Sequence, residues 1–385
     1  MITLHRIIFA ATTAIKGSAA FGTTRFQPSS RHKAIHFIPC SVKLHSTSNI
    51  DSVPPDASPK RNYIYTQLDP NVNHHPYRRN LQHVLTTIEN AAYSAGEVTL
   101  ATAGKIAVKS TKANIRDLVT ESDVQCQMLI KEIIMSEFPG DLFLGEEDVN
   151  IGGVGEEMST SEALTKALGI APRNDDGQDR LLFVVDPIDG TTNFQAGLPL
   201  YAISIGVISL HGNRPEVVAG VIYNPTLTKM TSAVRGRGCY LNNQRIKHRT
   251  QEQHEARKSI LNQSLINVGF PIAKESTLLA SSRAVTALAT KVRGLRMIAS
   301  ASQTMAWVAQ CKLHAYFSWD LNAWDVCAGM VIVEESGGLV SNFDGTRADI
   351  SSRDMIITCC PQQGEEGLLR NELITVLEEN DCLSY

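Results

Sequence analysis

The sequence predicts an α/β chain of stacked layers in two linked halves, and three observations carry that. Apolar residues step by three and four over 81–95 and again over 126–134, the period of amphipathic helices. Short, almost wholly apolar runs follow near 181–185, 200–210 and 216–223, as expected of buried strands. From about residue 258 helical and strand patterns mix along the chain.

At 385 residues the chain can hold one large domain or two ordinary ones. Its net charge of −3 gives no reason to expect nucleic acid as a partner, and it has no apolar run of eighteen residues to cross a membrane. The charge is unevenly spread. Residues 1–50 hold six Lys/Arg (Arg6, Lys16, Arg25, Arg31, Lys33, Lys43), twelve Ser/Thr and no Asp or Glu, which leaves −9 on residues 51–385. That basic, hydroxyl-rich, acid-free composition predicts an organelle-targeting leader, with a plastid favoured over a mitochondrion. The apolar stretch Ile7 to Ile15, followed by Gly17-Ser18-Ala19-Ala20-Phe21, also fits a signal segment with a small-residue cleavage site. Residues 51–79, with Pro54, Pro55, Pro59, Pro70 and Pro76 and no periodicity, read as a disordered linker.

Folded structure is expected from Asn80, in an N-terminal half over 80–245 and a C-terminal half over 246–385. Leu81, Val84, Leu85, Ile88, Ala91, Ala92 and Ala95 line one face of a long helix. A second helix follows Asp123, with Cys126, Leu129, Ile130, Ile133 and Ile134 on its apolar face, and Phe138-Pro139-Gly140 ends it. Residues 147–180 read as an irregular surface insertion. Arg235-Gly236-Arg237-Gly238 and Asn242-Asn243 are turns between strands. Then come a strand over 259–267, helices near 277–291 and 303–310, a helix over 323–335 stopped by Gly337-Gly338, and a last helix over 364–380. Eight cysteines without a C-x-x-C or a zinc-type spacing predict reduced thiols.

The chemistry concentrates in Val184-Val185-Asp186-Pro187-Ile188-Asp189-Gly190-Thr191-Thr192-Asn193-Phe194. A buried strand delivers Asp186, Pro187 interrupts the ladder, and Asp189 turns back so that two carboxylates converge. Gly190 permits close backbone approach, and Thr191 and Thr192 begin a helix whose N–H groups face the same point. Paired carboxylates beside an anion-binding helix start suit a divalent metal holding a phosphate, and hard oxygen ligands favour Mg²⁺. Taken singly, Asp-Pro-x-Asp-Gly is more often a turn, Gly145-Glu146-Glu147-Asp148 a solvated acid cluster, and the Asp of Trp324-Asp325 a helix cap.

Together and in this order, these segments resemble the inositol monophosphatase family of metal-dependent, lithium-sensitive phosphatases. The resemblance rests on Asp117-Leu118-Val119-Thr120-Glu121-Ser122-Asp123, Gly145-Glu146-Glu147, 186–194, Ala323-Trp324-Asp325 and Glu335-Ser336-Gly337-Gly338, and it spans about residues 80 to 380. It implies an αβαβα sandwich shared with fructose-1,6-bisphosphatase, usually as a homodimer. It implies two to three Mg²⁺ per site: one held by Glu146, Asp186 and the Ile188 carbonyl, a second by Asp186, Asp189 and Asp325, and a weaker third positioned by Glu147. It implies that Asp123 and Thr191 activate the attacking water and that Gly190, Thr191 and Thr192 receive the phosphate. The substrate implied is myo-inositol 1-phosphate. The same chemistry on histidinol phosphate or another sugar phosphate is a second reading, and a non-catalytic scaffold a third.

The chain departs from the family on the leaving-group side. Ser318 stands seven residues before Asp325, where inositol-selective members carry a Glu that contacts ring hydroxyls. Asp320 stands five before, and cannot replace that Glu without a backbone shift. Ala299-Ser300 replaces the usual Gly-Thr beside the substrate. The loop after Lys109 and the segment between Glu147 and Asp186 are longer than usual.

Overall fold

The computed structural model describes residues 79–105, 108–111, 118–150, 160–169, 179–211, 215–246, 260–271, 274–359 and 367–383. The leader and nearly all of the linker lie outside them, as does the loop after Lys109. The chain enters through α1 (Leu81–Thr102), β1 (Val108–Thr111), β2 (Leu118–Thr120), α2 (Glu121–Glu137), β3 (Leu142–Gly145), α3 (Glu146–Asn150) and α4 (Thr160–Leu168). It continues with β4 (Leu181–Asp189), α5 (Thr191–Gln195), β5 (Ala202–Ser209), β6 (Glu216–Asn224), β7 (Lys229–Val234), β8 (Gly238–Leu241) and β9 (Gln244–Arg245). A single 3₁₀ turn, Leu261–Gln263, leads to β10 (Leu265–Val268), α6 (Glu275–Leu288), β11 (Gly294–Arg296), α7 (Ala301–Ala309) and β12 (Ala315–Ser318). The described chain closes with α8 (Ala323–Glu335), β13 (Leu339–Asn342), β14 (Met355–Thr358) and α9 (Leu368–Glu379).

Strands β3 to β9 form a seven-stranded sheet in sequence order; β3 and β4 are parallel, the rest antiparallel. A five-stranded sheet has the order β11-β10-β12-β14-β13, with the first three parallel. The period of two along each strand sorts side chains into three cores. From β4, Phe183 and Val185 join α1 and α2, while Leu182 and Val184 face the opposite side with α7 and α8. From β12, Tyr316 faces that same middle layer, while Ala315 and Phe317 pack with α6 and α9. Five layers result: helices, sheet, helices, sheet, helices. Because β4 and β5 are covered on both faces, they read as continuous apolar runs rather than alternating ones.

Local chemistry explains the boundaries. Asn80 caps α1, its Oδ1 accepting from Gln82 N at 3.1 Å and His83 N at 3.3 Å. Asn242 and Asn243 take φ of 48° and 65°, the conformation of a two-residue hairpin turn between β8 and β9. The apolar helix α8 lies across β5 and β6 on a seat made by Gly206 and Gly220, which face each other across the ladder. A Cβ on Gly206 would stand 2.3 Å from Cys327 Sγ and 2.7 Å from Ala328 N; one on Gly220 would stand 2.7 Å from Ala328 O. The far end of α8 is held by the β7–β8 turn, where Gly236 N and Gly238 N each donate to the Glu335 carboxylate at 2.8 Å.

Four expectations are corrected. β4 does not stop at Val185 with Asp186 at its end. It runs on to Asp189, because an irregularity opposes 186–189 to Ser204 and Ala202 and lets the strand pass Pro187. The segment over 147–180 is not irregular throughout: α3 and α4 lie in it, the rest falling outside the described residues. The strand expected over 259–267 is shorter, since a 3₁₀ turn precedes β10. The second helix begins at Glu121, so Asp123 lies within its first turn. The six described cysteines are all free thiols, as expected.

Candidate active site

Residues far apart in sequence meet around the end of β4. Asp123, 1% exposed in the first turn of α2, lies against α5. Thr191 Oγ1 stands 3.2 Å from Asp123 Oδ1 and 3.2 Å from the Ile188 carbonyl oxygen. A hydroxyl carries one proton and two lone pairs, so Thr191 donates to one of these acceptors at a time. Asp186 Oδ1 accepts from Ile188 N at 3.0 Å, closing a short turn that fixes the carboxylate at the β4 irregularity.

Asp189 is anchored from the other half of the chain. Its Oδ2 accepts from Ser300 Oγ at 2.8 Å, Ser302 N at 2.6 Å and Ser302 Oγ at 2.5 Å, and its Oδ1 from Ala301 N at 3.2 Å. The carboxylate thus sits on the N-terminus of α7, where N–H groups and the helix dipole favour negative charge. Burial pushes its pKa up, and the hydrogen bonds from Ser302, Ser300 and Ala301 pull it down; the net shift is upward.

Gly190 is required twice over. Its φ of 95° is left-handed, and a Cβ there would lie 3.0 Å from Leu200 O and 3.1 Å from Ala299 O. Asn193 ties the same segments together, its Nδ2 donating to Leu200 O and Ile298 O, each at 2.8 Å. Ala299 also has a left-handed backbone, φ 57°, where an L side chain is strained. Ala299→Gly is therefore expected to stabilise the fold by about 0.5 to 1 kcal/mol, the relieved strain exceeding the entropy glycine adds to the unfolded chain. Urea unfolding that shows no gain would mean that the backbone is not strained there.

Asp325 occupies the third position of α8 in a reciprocal cap: its Oδ2 accepts from Asn322 N at 2.7 Å while the Asn322 side chain accepts from the helix. Capping and a ligand role are compatible, because an ionised carboxylate offers about four acceptor positions. Glu146 and Glu147 open α3, and Glu147 N donates to Gln127 Oε1 at 2.9 Å. Gly145 makes room for that amide, since a Cβ there would fall 2.2 Å from Gln127 Oε1.

Ser318 is buried at the end of β12, and its Oγ donates to the Trp319 carbonyl at 3.2 Å. Two residues earlier on the same strand face, the buried Tyr316 phenol is hydrogen-bonded to Ser318 and lies within the fields of Asp325 and Asp189. Burial raises its pKa, the Ser318 bond lowers it, and the two carboxylates raise it again, with the net shift upward. The structure therefore links Asp123, Thr191 and Ile188 directly. It joins Asp189 to Ser300 and Gly190 to Ala299, and connects Asp325 and Ser318 through Tyr316. The Thr192 side chain is exposed.

Sequence reading missed Gln127, Ser302, Tyr316 and Asn193. Asn193 lay inside the quoted motif, and Ser-x-Ser at 300–302 opened an apolar helix, which is a capping signal. Gln127 and Tyr316 carried no local signal; tertiary packing alone places them.

Among the described residues no three His, Cys, Asp or Glu side chains form a metal-binding group. The oxygens near the end of β4 come from the carboxylates of Asp123, Asp186 and Asp189, the Ile188 carbonyl and the hydroxyls of Thr191, Ser300 and Ser302. With no His or Cys among them, this chemistry suits a hard cation such as Mg²⁺ rather than zinc. Among the described residues no helix is long and apolar enough to cross a membrane.

Known proteins resemble this chain in sequence and in fold. The Solanum lycopersicum protein "Inositol monophosphatase 1" is 34% identical over 243 residues, covering 63% of this chain and 78% of that one. The Arabidopsis thaliana "Phosphatase IMPL1, chloroplastic" is 28% identical over 278 residues, covering 72% of this chain and 67% of that one. The Bartonella henselae extragenic suppressor protein suhB superposes with a TM-score of 0.60 at 26% identity, over 77% of this chain and 99% of that one. The sequence pattern of the inositol monophosphatase family matches residues 80–376, so with its five-layer fold the chain belongs to the inositol monophosphatase family of phosphatases.

Proposed function

We propose that the chain is a Mg²⁺-dependent phosphomonoesterase that hydrolyses myo-inositol 1-phosphate to inositol and phosphate. One observation carries the reading: a single hydroxyl, Thr191 Oγ1, lies 3.2 Å from both the Asp123 carboxylate and the Ile188 carbonyl, uniting residues 68 apart in sequence. Asp123 draws the Thr191 proton toward Oδ1, which turns the Thr191 lone pairs toward a water. That water's proton then passes to Thr191 Oγ1 as the Thr191 proton passes to Asp123 Oδ1, so no side chain becomes a covalent nucleophile. The Gly190 and Thr191 N–H groups, at the start of α5, orient the phosphate for attack.

Glu146, Asp186 and the Ile188 carbonyl would hold one Mg²⁺, with Asp186, Asp189 and Asp325 holding a second and Glu147 supporting a third. When bound, these ions neutralise the phosphate dianion and acidify the attacking water. The single Asn322 bond leaves Asp325 acceptor positions for a cation, whereas Asp189, which takes four bonds from Ser300 and the start of α7, would have to release at least one of them on loading. A homodimer in a plastid completes the proposal; support for the address comes from the acid-free composition of residues 1–50 and the relative named as chloroplastic.

The test is phosphate release by the full chain with inositol 1-phosphate, histidinol phosphate, fructose 1,6-bisphosphate and adenosine 3′,5′-bisphosphate. The expected result is release that requires Mg²⁺ and is fastest on inositol 1-phosphate. Preference for another compound overturns the substrate, and metal-independent or absent release overturns the mechanism.

A further inference from the structure

The five-stranded sheet has a topological switch point. β10 leads into α6 on the outer face, whereas β12, its parallel neighbour, leads into α8 in the middle layer. Ligands of open α/β sheets bind where neighbouring parallel strands send their chains to opposite faces, at the C-terminal strand ends. Here that crevice lies between Gly269, Phe270 and Lys274 after β10 and Ser318 and Asp320 at and after β12. The two strand ends are in close contact, since a Cβ on Gly269 would lie 2.0 Å from Ser318 Oγ.

Asp320 is the unusual residue of this crevice. Its backbone is left-handed, φ 55°, a conformation that aspartate and asparagine visit more readily than other residues with a Cβ and that neighbours fix here. The neighbours are evident: Asp320 N donates to Asp354 Oδ1 at 3.0 Å, Arg353 Nη2 to the Asp320 carbonyl at 3.2 Å and to its Oδ1 at 3.3 Å, and Leu321 N to Arg353 O at 2.8 Å. The result is a carboxylate whose Oδ1 accepts from Lys274 Nζ at 2.7 Å and whose buried Oδ2 has no hydrogen-bond partner. Lys274 is 62% exposed, and an ammonium has three donors. The Ser318 hydroxyl, by contrast, is already engaged by Trp319 O and Tyr316.

We propose that the Lys274–Asp320 pair, rather than Ser318, determines specificity on the leaving-group side, reading the hydroxyls of a polyol. The exposed Lys274 ammonium, held by Asp320 Oδ1, donates its two remaining N–H groups to neighbouring hydroxyls, and Asp320, whose Oδ2 is buried, acts by positioning it. With Arg353 and Asp354 beside it, the pair belongs to a cluster of two positive and two negative groups with no net charge, which suits an uncharged, hydroxyl-rich leaving group. This inference rests on the phosphomonoesterase reading above.

The experiment uses the full chain with Mg²⁺ and compares kcat/KM for inositol 1-phosphate with that for phenyl phosphate, whose ring has no hydroxyls. Asp320→Gly removes the carboxylate and keeps the left-handed backbone unstrained. In this variant the inositol-to-phenyl ratio is expected to fall about tenfold or more, as for a lost polar contact to substrate, without a lower melting temperature. Lys274→Met is expected to move the ratio the same way, and it decides the matter should the glycine variant fold poorly. An unchanged ratio in both variants overturns the assignment. A wild-type enzyme active on phenyl phosphate alone overturns polyol recognition, and one inactive on both overturns the phosphomonoesterase reading and this inference with it.

Discussion

Asp189→Asn is expected to lower Mg²⁺-dependent turnover by more than about 10²-fold, about 2.7 kcal/mol in barrier. The argument has two parts. The carboxylate is a proposed ligand of the second Mg²⁺, and an amide is a weaker, uncharged donor to a hard cation. It is also the acceptor for the start of α7, taking bonds from Ser300 Oγ, Ser302 N, Ser302 Oγ and Ala301 N. An asparagine offers one oxygen for these donors and turns an NH₂ toward the others. Either amide orientation sets a donor against a donor, and a buried unpaired group costs about 1 to 3 kcal/mol.

Turnover at saturating Mg²⁺ and urea unfolding separate the two parts. Loss of both is expected. Near-normal turnover with reduced stability would make Asp189 solely an anchor for α7 and would remove it from the metal site. Ser302→Ala serves as the comparison, since it deletes one of the two hydroxyl donors and leaves the carboxylate in place. Its expected cost is about 1 kcal/mol in stability, the worth of one hydrogen bond.

Much of this architecture was legible in the residues. The step of three and four over 81–95 gives α1, and the same residues line its buried face. The continuous apolar run at 181–185 gives a strand covered on both sides. Asp123 and Thr191 read as a pair only through the family resemblance, and the structure does place them together. What was illegible depends on register and on distant packing. Pro187 reads as a strand stop because it has no N–H for a ladder, yet the mismatch opposite Ser204 and Ala202 lets β4 pass it. Asp320 reads as misplaced by two residues, and only the structure shows that it sits in a left-handed turn fixed by Arg353 and Asp354. Gly206, alone in an otherwise strand-forming run, was a signal of close approach whose partner no local pattern names.

Gly206→Ala is expected to be as damaging to the fold as Asp189→Asn is to the chemistry, with a cost of about 3 kcal/mol or more. The added methyl would stand 2.3 Å from Cys327 Sγ, 2.6 Å from Cys327 Cβ and 2.7 Å from Ala328 N. Only the sulfur could rotate away; the other two belong to the helix itself, so α8 must lift. It cannot lift freely. The Glu335 carboxylate is bonded to the β7–β8 turn at one end, and Ser204 Oγ donates to the Trp324 carbonyl at 3.3 Å at the other. The clash is at Cys327, two residues from Asp325, so the first turn is strained against its Ser204 bond. With Asp325 as the proposed ligand, turnover is expected to drop by about tenfold or more, since small misplacements at a reacting centre are costly. Cys327→Ala in the Gly206→Ala background is expected to recover only part of the stability, because it removes the sulfur and leaves the Cβ and backbone contacts. Full recovery in that double variant would show that the seat is set by the side chain and not by the helix backbone. A single variant with wild-type unfolding midpoint would show that α8 does not rest on the glycine pair at all.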